Sequence, residues 1–383
     1  MARPRRLVPG SLALVLLVAC TGSSSPSNPP TATPLPASPS GSAAGPAPLV
    51  AALPSTCDEA VPASAATVTF TASGRAWAVG PDGTGLTCLF EVTDPGAFAW
   101  GPKADRVALG GLAVHGVGSG ASRPAIGVVP EFLSWGRPTG KAVAFANGAK
   151  LEKAIVGSAD VEDITPLEDV TYRDVVYHPS GLAIAFVVNG PEGSAIWLSS
   201  NTGEDPKRLV WSKSGTVFSS LAFNADGRYL FYGARAANGT RLLAELLLAE
   251  GRAHEGLWRG DRDVMAVLPR PAFEEDVPDL GSVLLNVGAG CADERALFTT
   301  LDGGEGTPIL PDENAPTAAL GWTGPSTVLV GVGGCGTRDL WTVSAIDGTP
   351  TLLVRGVDTA AVRVPDGTPP PPLPELGVKS DFA

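Results

Sequence analysis

A unit of four short strands recurs along most of this chain, and it limits the possible folds more than any other feature. The best copy runs from Tyr172 to Trp211. In this copy, apolar, β-branched and aromatic runs alternate with the turn segments His178–Gly181, Asn189–Gly193 and Ser199–Asp205. Such runs, separated by Gly, Pro, Asn and Asp, predict β-strands joined by tight turns. A four-stranded unit that recurs about every 40 to 50 residues is typical of a β-propeller.

The end of the first strand can be followed from copy to copy, because a bulky residue there precedes a turn and a second strand. The spacings between these anchors are 35, 42, 46, 45, 54 and 41 residues. Over Cys57–Gly367, seven blades give about 44 residues each and six give about 52, and the shorter period fits a propeller better. We therefore predict seven blades, with six as the alternative if the short copies do not each form a blade. The seven anchors are Trp100, Trp135, Tyr177, Phe223, Leu268, Trp322 and Arg363.

The two ends of the repeat array complement each other. Residues 67–90 provide a second, third and fourth strand without a first, whereas Ala360–Val364 provides a first strand with nothing after it. One blade is therefore predicted to contain strands from both ends of the chain. This closure would leave no free sheet edge in the ring.

The first twenty residues form an export signal. Three arginines within the first six residues precede an apolar run from Leu7 to Ala19, and the sequence Leu-Val-Ala-Cys at 17–20 matches the cleavage and lipidation site of a bacterial lipoprotein. The apolar run has about 13 residues, whereas a transmembrane helix needs about 20. The sequence therefore predicts a signal peptide at 1–19 and a lipid on Cys20.

The segments on either side of the repeats differ from them in composition. Residues 20–56 are rich in Ser, Pro, Ala and Thr and contain no charged residue, which predicts a disordered tether. Residues 57–367 form the predicted propeller, and 368–383 form a Pro-rich tail. The formal net charge of -12 becomes -15 when the three signal-peptide arginines are removed. An acidic body disfavours binding to nucleic acid.

The repeat follows a consensus in two halves. Copies such as AFAWGPKADRVAL and LAFNADGRYLFY share an aromatic anchor, a turn and an apolar second strand, and copies such as AIWLSSNTGEDPKRLV supply the third and fourth strands. This pattern resembles the TolB-type propeller repeat of bacterial envelope proteins. The resemblance covers nearly everything after Cys57, and it implies a propeller fold in the cell envelope. The family's Ser-Pro-Asp-Gly turn is replaced here by sequences such as His-Pro-Ser-Gly.

Four cysteines follow Cys20, and the predicted export places them where disulfides persist. Cys291 and Cys335 each follow the second strand of adjacent copies, so their loops are expected to be neighbours and we pair them. The remaining pair is Cys57 with Cys88. Free buried thiols are the alternative, and without a Cys-x-x-Cys pair a zinc site is not expected.

Catalytic signatures are weak in this sequence. Gly331–Gly336 fits G-x-G-x-x-G, but strands flank it where a dinucleotide site needs a helix. Gly136–Lys141 is one residue short of a phosphate loop and lacks its hydroxyl residue. His115, His178 and His254 fall in different copies, so they predict neither a metal site nor a general base. We predict no catalytic residue, no metal and no cofactor.

Two segments permit a second interpretation. Leu242–Glu250 has helix-forming composition, but it aligns with the third strand and hairpin turn of its copy, so we predict a strand. The acidic residues Glu274, Glu275, Asp276 and Asp279 lack the spacing of a calcium loop, which favours solvated turn charges.

Together these features predict a membrane-anchored, extracytoplasmic propeller that acts as a non-catalytic scaffold binding proteins or ligands in the cell envelope. Its partner would be an envelope protein or a small ligand, with lipid on Cys20 as the membrane contact and a monomeric body. One alternative is a propeller enzyme of the lactonase- or glycan-acting type, although the predicted channel strands are largely apolar. The other is a sensory or assembly partner of a neighbouring membrane protein.

Overall fold

The structure is a computed structural model that describes residues 46–93, 99–103, 106–109, 113–116, 122–123, 133–137, 139–156, 158, 160–212, 215–271, 283–299, 301, 303–310, 314–363, 372–376 and 380–381. Within these residues all regular structure is strand, with no helix. Seven sheets form a ring, so the protein is a seven-bladed β-propeller. The predicted all-β fold is confirmed, and six blades is the wrong alternative.

Each anchor lies within the last three residues of the innermost strand of a blade or directly after it, close to the predicted position, and the strands of each blade follow one another outward. Blade 1 contains β1 (Val68–Ala72), β2 (Arg75–Val79) and β3 (Thr87–Glu91). Blade 2 contains β4 (Ala99–Trp100), β5 (Arg106–Leu109), β6 (Ala113–Gly116) and β7 (Ser122–Arg123). Blade 3 contains β8 (Leu133–Trp135), β9 (Ala142–Asn147), β10 (Lys150–Ile155) and β11 (Val161–Asp163).

Most strands of blades 4 to 7 have six or more residues, and these blades include the best copies of the repeat. Blade 4 contains β12 (Thr171–Tyr177), β13 (Ala183–Gly190), β14 (Gly193–Ser200) and β15 (Lys207–Ser212), and blade 5 contains β16 (Val217–Phe223), β17 (Tyr229–Arg235), β18 (Arg241–Leu247) and β19 (Arg252–Gly260). Blade 6 contains β20 (Asp263–Pro269), β21 (Val283–Gly288), β22 (Arg295–Thr299) and β23 (Thr307–Pro308). Blade 7 contains β24 (Thr317–Gly324), β25 (Thr327–Val332), β26 (Arg338–Ser344) and β27 (Pro350–Val357). The predicted strand at Leu242–Glu250 is confirmed as β18, with a turn after it.

Blade 1 closes the ring with strands from both ends of the chain, as predicted. Its innermost strand is β28 (Thr359–Val362), which pairs antiparallel with β1. Two further backbone bonds extend the ladder, from Asp358 N–H to Thr71 O at 2.8 Å and from Arg363 N–H to Thr67 O at 2.7 Å. The closure therefore pairs the inner edge of β1, which would otherwise be a free sheet edge.

The hydrophobic core lies between neighbouring blades, because the residues of each strand alternate between its two faces. One cluster joins blades 4 and 5 through residues such as Leu198, Val210 and Leu230, each at most 3 % exposed. Polar side chains add bonds between neighbouring blades. Asn286 donates from Nδ2 to Ala319 O at 2.9 Å and accepts from Ala319 N–H at 2.8 Å.

The folded body begins before the predicted boundary at Cys57. Leu49 N–H donates to Leu352 O at 3.0 Å, and Val50 N–H donates to Leu353 O at 2.9 Å, so the chain runs along the outer edge of β27. Val50 is buried in the cluster between blades 7 and 1. Residues 46–56 were predicted to be tether because a single pair of large apolar residues, Leu49-Val50, is a weak signal within a Pro- and Ala-rich composition.

Candidate functional site

The described residues contain two disulfides, and they join the pairs predicted from the sequence. Cys57 and Cys88 lie 5.3 Å apart between Cα atoms, and Cys291 and Cys335 lie 5.1 Å apart. The first ties the N-terminal arm to β3, and the second joins the turns that follow the second strands of blades 6 and 7. Cys20 lies outside the described residues, as do Glu274, Glu275, Asp276 and Asp279.

The corner around Cys291–Cys335 is structural. Arg338 Nη2 donates to Glu294 Oε2 at 2.9 Å across the two blades, and both side chains are largely buried. Burial raises the pKa of Glu294, while the charge of Arg338 opposes that rise. The G-x-G-x-x-G segment at 331–336 spans the end of β25 and the turn to β26. A strand follows it, so it cannot form the helix-based dinucleotide site.

The three histidines contact different partners. His115 stacks on Phe90 with ring centroids 4.4 Å apart, and burial lowers its pKa. His254 is exposed, with Nδ1 3.6 Å from Glu245 Oε1. No group of three or more His, Cys, Asp or Glu that could hold a metal occurs among the residues described. The histidines therefore do not form a shared site.

His178 is fully buried and joins blades 4 and 5. Its Nε2 lies 2.9 Å from Gly227 O, and because a carbonyl can only accept, Nε2 carries the proton. Nδ1 then accepts from Ser180, whose N–H lies at 3.1 Å and whose Oγ lies at 2.8 Å. Burial lowers the pKa of His178, which fits a neutral imidazole. The sequence predicted that His178 lies in a turn and assigned it no role. The structure shows that its bond to Gly227 O joins blades 4 and 5.

A feature suited to binding is a surface pocket on blade 4, which we name the blade 4 pocket. It has a volume of about 560 Å³ and is lined by Pro191, Glu192, Arg208 and Trp211. The first two residues lie in the turn between β13 and β14, and the other two lie on β15. The Arg208 guanidinium carbon is 4.5 Å from the centroid of a Trp211 ring, a cation–π contact.

A β-bulge explains how Arg208 and Trp211 meet. Residues three apart on a regular strand face opposite sides of the sheet. In β15, Val210 pairs with Ile196 and Arg208 with Trp197, which leaves Leu209 as an extra residue. The extra residue shifts the alternation, so Arg208 and Trp211 come to the same side.

The outer edge of β15 lies beside the pocket and carries a further strand. Strand β29 (Ser380–Asp381) pairs with it in parallel, with Ser380 opposite Val210 and Asp381 opposite Trp211. Earlier in the same tail, Leu373 and Leu376 are partly buried against the cluster between blades 4 and 5. Part of the predicted Pro-rich tail therefore packs on the propeller.

Chemically, this region is suited to recognition. A sheet edge supplies backbone donors and acceptors, while the pocket supplies a guanidinium, an aromatic ring and a carboxylate. The four lining residues include neither a hydroxyl or thiol nucleophile nor a histidine. The signal for this site in the sequence is indirect, an Arg and a Trp in one predicted outer strand, because their approach depends on the bulge at Leu209.

Comparison with known proteins relates the chain to others by fold. No family model matches the sequence, and no curated protein matches it. Among solved structures, a prolyl endopeptidase is similar to this chain, with 13% identity and a TM-score of 0.50 over 78% of this chain and 50% of that one. The dihydro-heme d1 dehydrogenase NirN has 13% identity and a TM-score of 0.50, over 82% and 78%.

TolB from Acinetobacter baumannii has 13% identity and a TM-score of 0.44, over 79% of this chain and 68% of that one. This chain spans about half the length of the prolyl endopeptidase that it matches. At such identities the likeness of the prolyl endopeptidase and NirN shows the propeller fold alone. No helix in the described part of the chain is long and apolar enough to span a bilayer.

Proposed function

We propose that this protein is a lipid-anchored, extracytoplasmic β-propeller that acts as a non-catalytic binding scaffold of the cell envelope. The observation that carries the binding role is the blade 4 pocket beside the outer edge of β15. There, Arg208 stacks on Trp211 next to backbone groups that already pair with an added strand. Such an arrangement recognises a partner by shape, charge and backbone hydrogen bonds.

Two features support the location. The first twenty residues have the pattern of a bacterial lipoprotein signal, with Cys20 at the lipidation position. The two disulfides fit an oxidising compartment outside the cytoplasm. The resemblance of the repeat to TolB-type propellers is in keeping with the same compartment.

The anchor is tested by expressing the full chain and the Cys20→Ser variant in a bacterial host fed labelled palmitate. We expect label and membrane association for the wild type, and neither for the variant. A variant that stays labelled and in the membrane fraction contradicts lipidation at Cys20.

The absence of catalysis is tested on the purified protein. A tightly bound divalent metal found by elemental analysis, with a hydrolase or lyase activity that chelation abolishes, would contradict the scaffold role. It would favour the alternative of a propeller enzyme. We expect no such activity.

A further inference from the structure

We infer that the outer edge of blade 4 is a peptide-binding edge that an extended, Pro- and Leu-containing segment of a partner protein occupies by strand addition, in competition with this chain's own C-terminal tail. This inference rests on the proposed binding role and names the class of partner. Its evidence is the tail itself, which occupies the edge in the structure.

Blade 4 differs from the other blades in the number of strands in its sheet. The sheet of blade 4 has five strands, whereas each of the other six has four among the residues described. The fifth strand, β29, is parallel, while the pairs inside that sheet are antiparallel. It comes from the chain end after β28 has closed the ring, so ring closure does not depend on it.

The tail is weakly held. Among the described residues of the tail, strand pairing covers Ser380 and Asp381, and each backbone hydrogen bond contributes about 1 kcal/mol net. Leu373 and Leu376 are partly buried, not fully buried. The tail contains no cysteine, so no disulfide secures it. A tethered segment nevertheless competes at an effective concentration of about millimolar, which makes it an effective but reversible blocker.

The tail also indicates which partner fits. Leu373 lies between two prolines, and Leu376 follows three residues later. After them comes β29, which pairs in parallel with β15. Prolines favour the extended backbone that strand addition requires and lower the entropic cost of ordering. Trp211 pairs with the tail strand and also lines the blade 4 pocket, together with Arg208. A partner strand bound to this edge would therefore lie beside Arg208.

The test uses a fluorescein-labelled peptide with the sequence of residues 368–383 and measures fluorescence anisotropy with purified, full-length protein. In the variant Leu373→Ser/Leu376→Ser, the protein's own tail loses its apolar contacts while the peptide keeps them. We expect this variant to bind the peptide about tenfold or more tightly than the wild type, because the tethered competitor is weakened. The matched control is Ile346→Ser, at a residue that is 67 % exposed on blade 7, and it should bind like the wild type.

Two further measurements identify the binding mode. A peptide with proline in place of both Ser380 and Asp381 lacks two backbone donors and should not bind. Adding Arg208→Ala to the leucine variant should weaken binding about two- to fivefold, because one exposed charge attraction between the guanidinium and the acidic peptide is lost.

Equal affinity of the wild type and the leucine variant overturns the inference, as does binding of the proline peptide. The inference is also overturned if the leucine variant does not bind the peptide although its unfolding temperature equals that of the wild type. A dimer of wild-type protein held by exchange of tails, detected by light scattering, overturns the choice of a separate partner. The assay does not depend on the membrane, so its failure leaves the Cys20 anchor and the scaffold role to their own tests.

Discussion

The two ends of the described chain both return to the outermost strand of a blade, but they are held in different ways. The N-terminal arm, residues 46–56, runs along β27 with two backbone hydrogen bonds and places Val50 in the core at 8 % exposure. Cys57 then fixes the arm to Cys88 on β3. The C-terminal tail reaches β15 through a two-residue pairing and two partly buried leucines.

The difference separates a permanent contact from an exchangeable one. A covalent bond at Cys57 limits how far the arm can move even when its hydrogen bonds open. The tail has no such restraint, so it can open locally while the ring stays closed, as weakly packed termini commonly do. Three changes test this contrast, and they are ordered by the size of the expected effect.

Removing the covalent restraint should have the largest effect. The double change Cys57→Ser/Cys88→Ser opens a loop with a sequence separation of 31. The chain-entropy model then predicts that the free energy of unfolding falls by about 4 kcal/mol, measured by urea denaturation. The arm should also change its behaviour, with faster amide hydrogen exchange at Leu49 and Val50.

The matched control is Cys291→Ser/Cys335→Ser, whose sequence separation is 44. It should lose about as much stability without raising exchange at Leu49 and Val50. If both variants raise amide hydrogen exchange in the arm equally, the disulfide at Cys57 is not what holds the arm on the propeller.

The second change weakens the boundary between blades 4 and 5, on which the tail leucines pack. His178→Phe removes the donor to Gly227 O and leaves a buried carbonyl without that partner, at a cost of about 2 kcal/mol at neutral pH. The exposed His254 provides the control, and His254→Phe should be close to neutral.

The same residue sets a pH dependence. Because burial lowers the pKa of His178 in the folded state, the unfolded chain binds more protons once the pH falls below about 6.5. Its stabilising effect is therefore complete above that pH and is lost progressively below it. The difference in unfolding free energy between wild type and His178→Phe should shrink as the pH falls from 7.5 to 5.5. A difference that stays constant would contradict a neutral, buried His178.

The ring could be predicted from sequence, because its information repeats. A bulky anchor, a turn and an apolar strand recur six times, a seventh anchor at Arg363 ends the array, and the unequal ends of the array reveal that both ends of the chain contribute to blade 1. The pairing of Cys291 with Cys335 follows from equivalent positions in adjacent copies. These features depend on local patterns, which propensity and periodicity report directly.

The candidate site could not be predicted in the same way, because it depends on contacts that do not repeat. Arg208 meets Trp211 only through the bulge at Leu209. The docking of the tail rests on Leu373 and Leu376 within a Pro-rich composition that by itself indicates disorder. Leu49 and Val50 were overlooked for the same reason. In each case a few apolar residues gain their contacts from tertiary structure.

The smallest effect should come from Leu376→Ala in the tail. The side chain is only partly buried and the tail opens without the ring, so global stability should fall by less than about 1 kcal/mol. Val50→Ala in the arm is the matched comparison and should cost about 1.5 kcal/mol, because it removes two buried methyl groups. Limited proteolysis should show the reverse order, with cleavage of the tail accelerated more in Leu376→Ala than cleavage of the arm in Val50→Ala. A tail that resists proteolysis as well as the arm does would mean that both contacts are permanent.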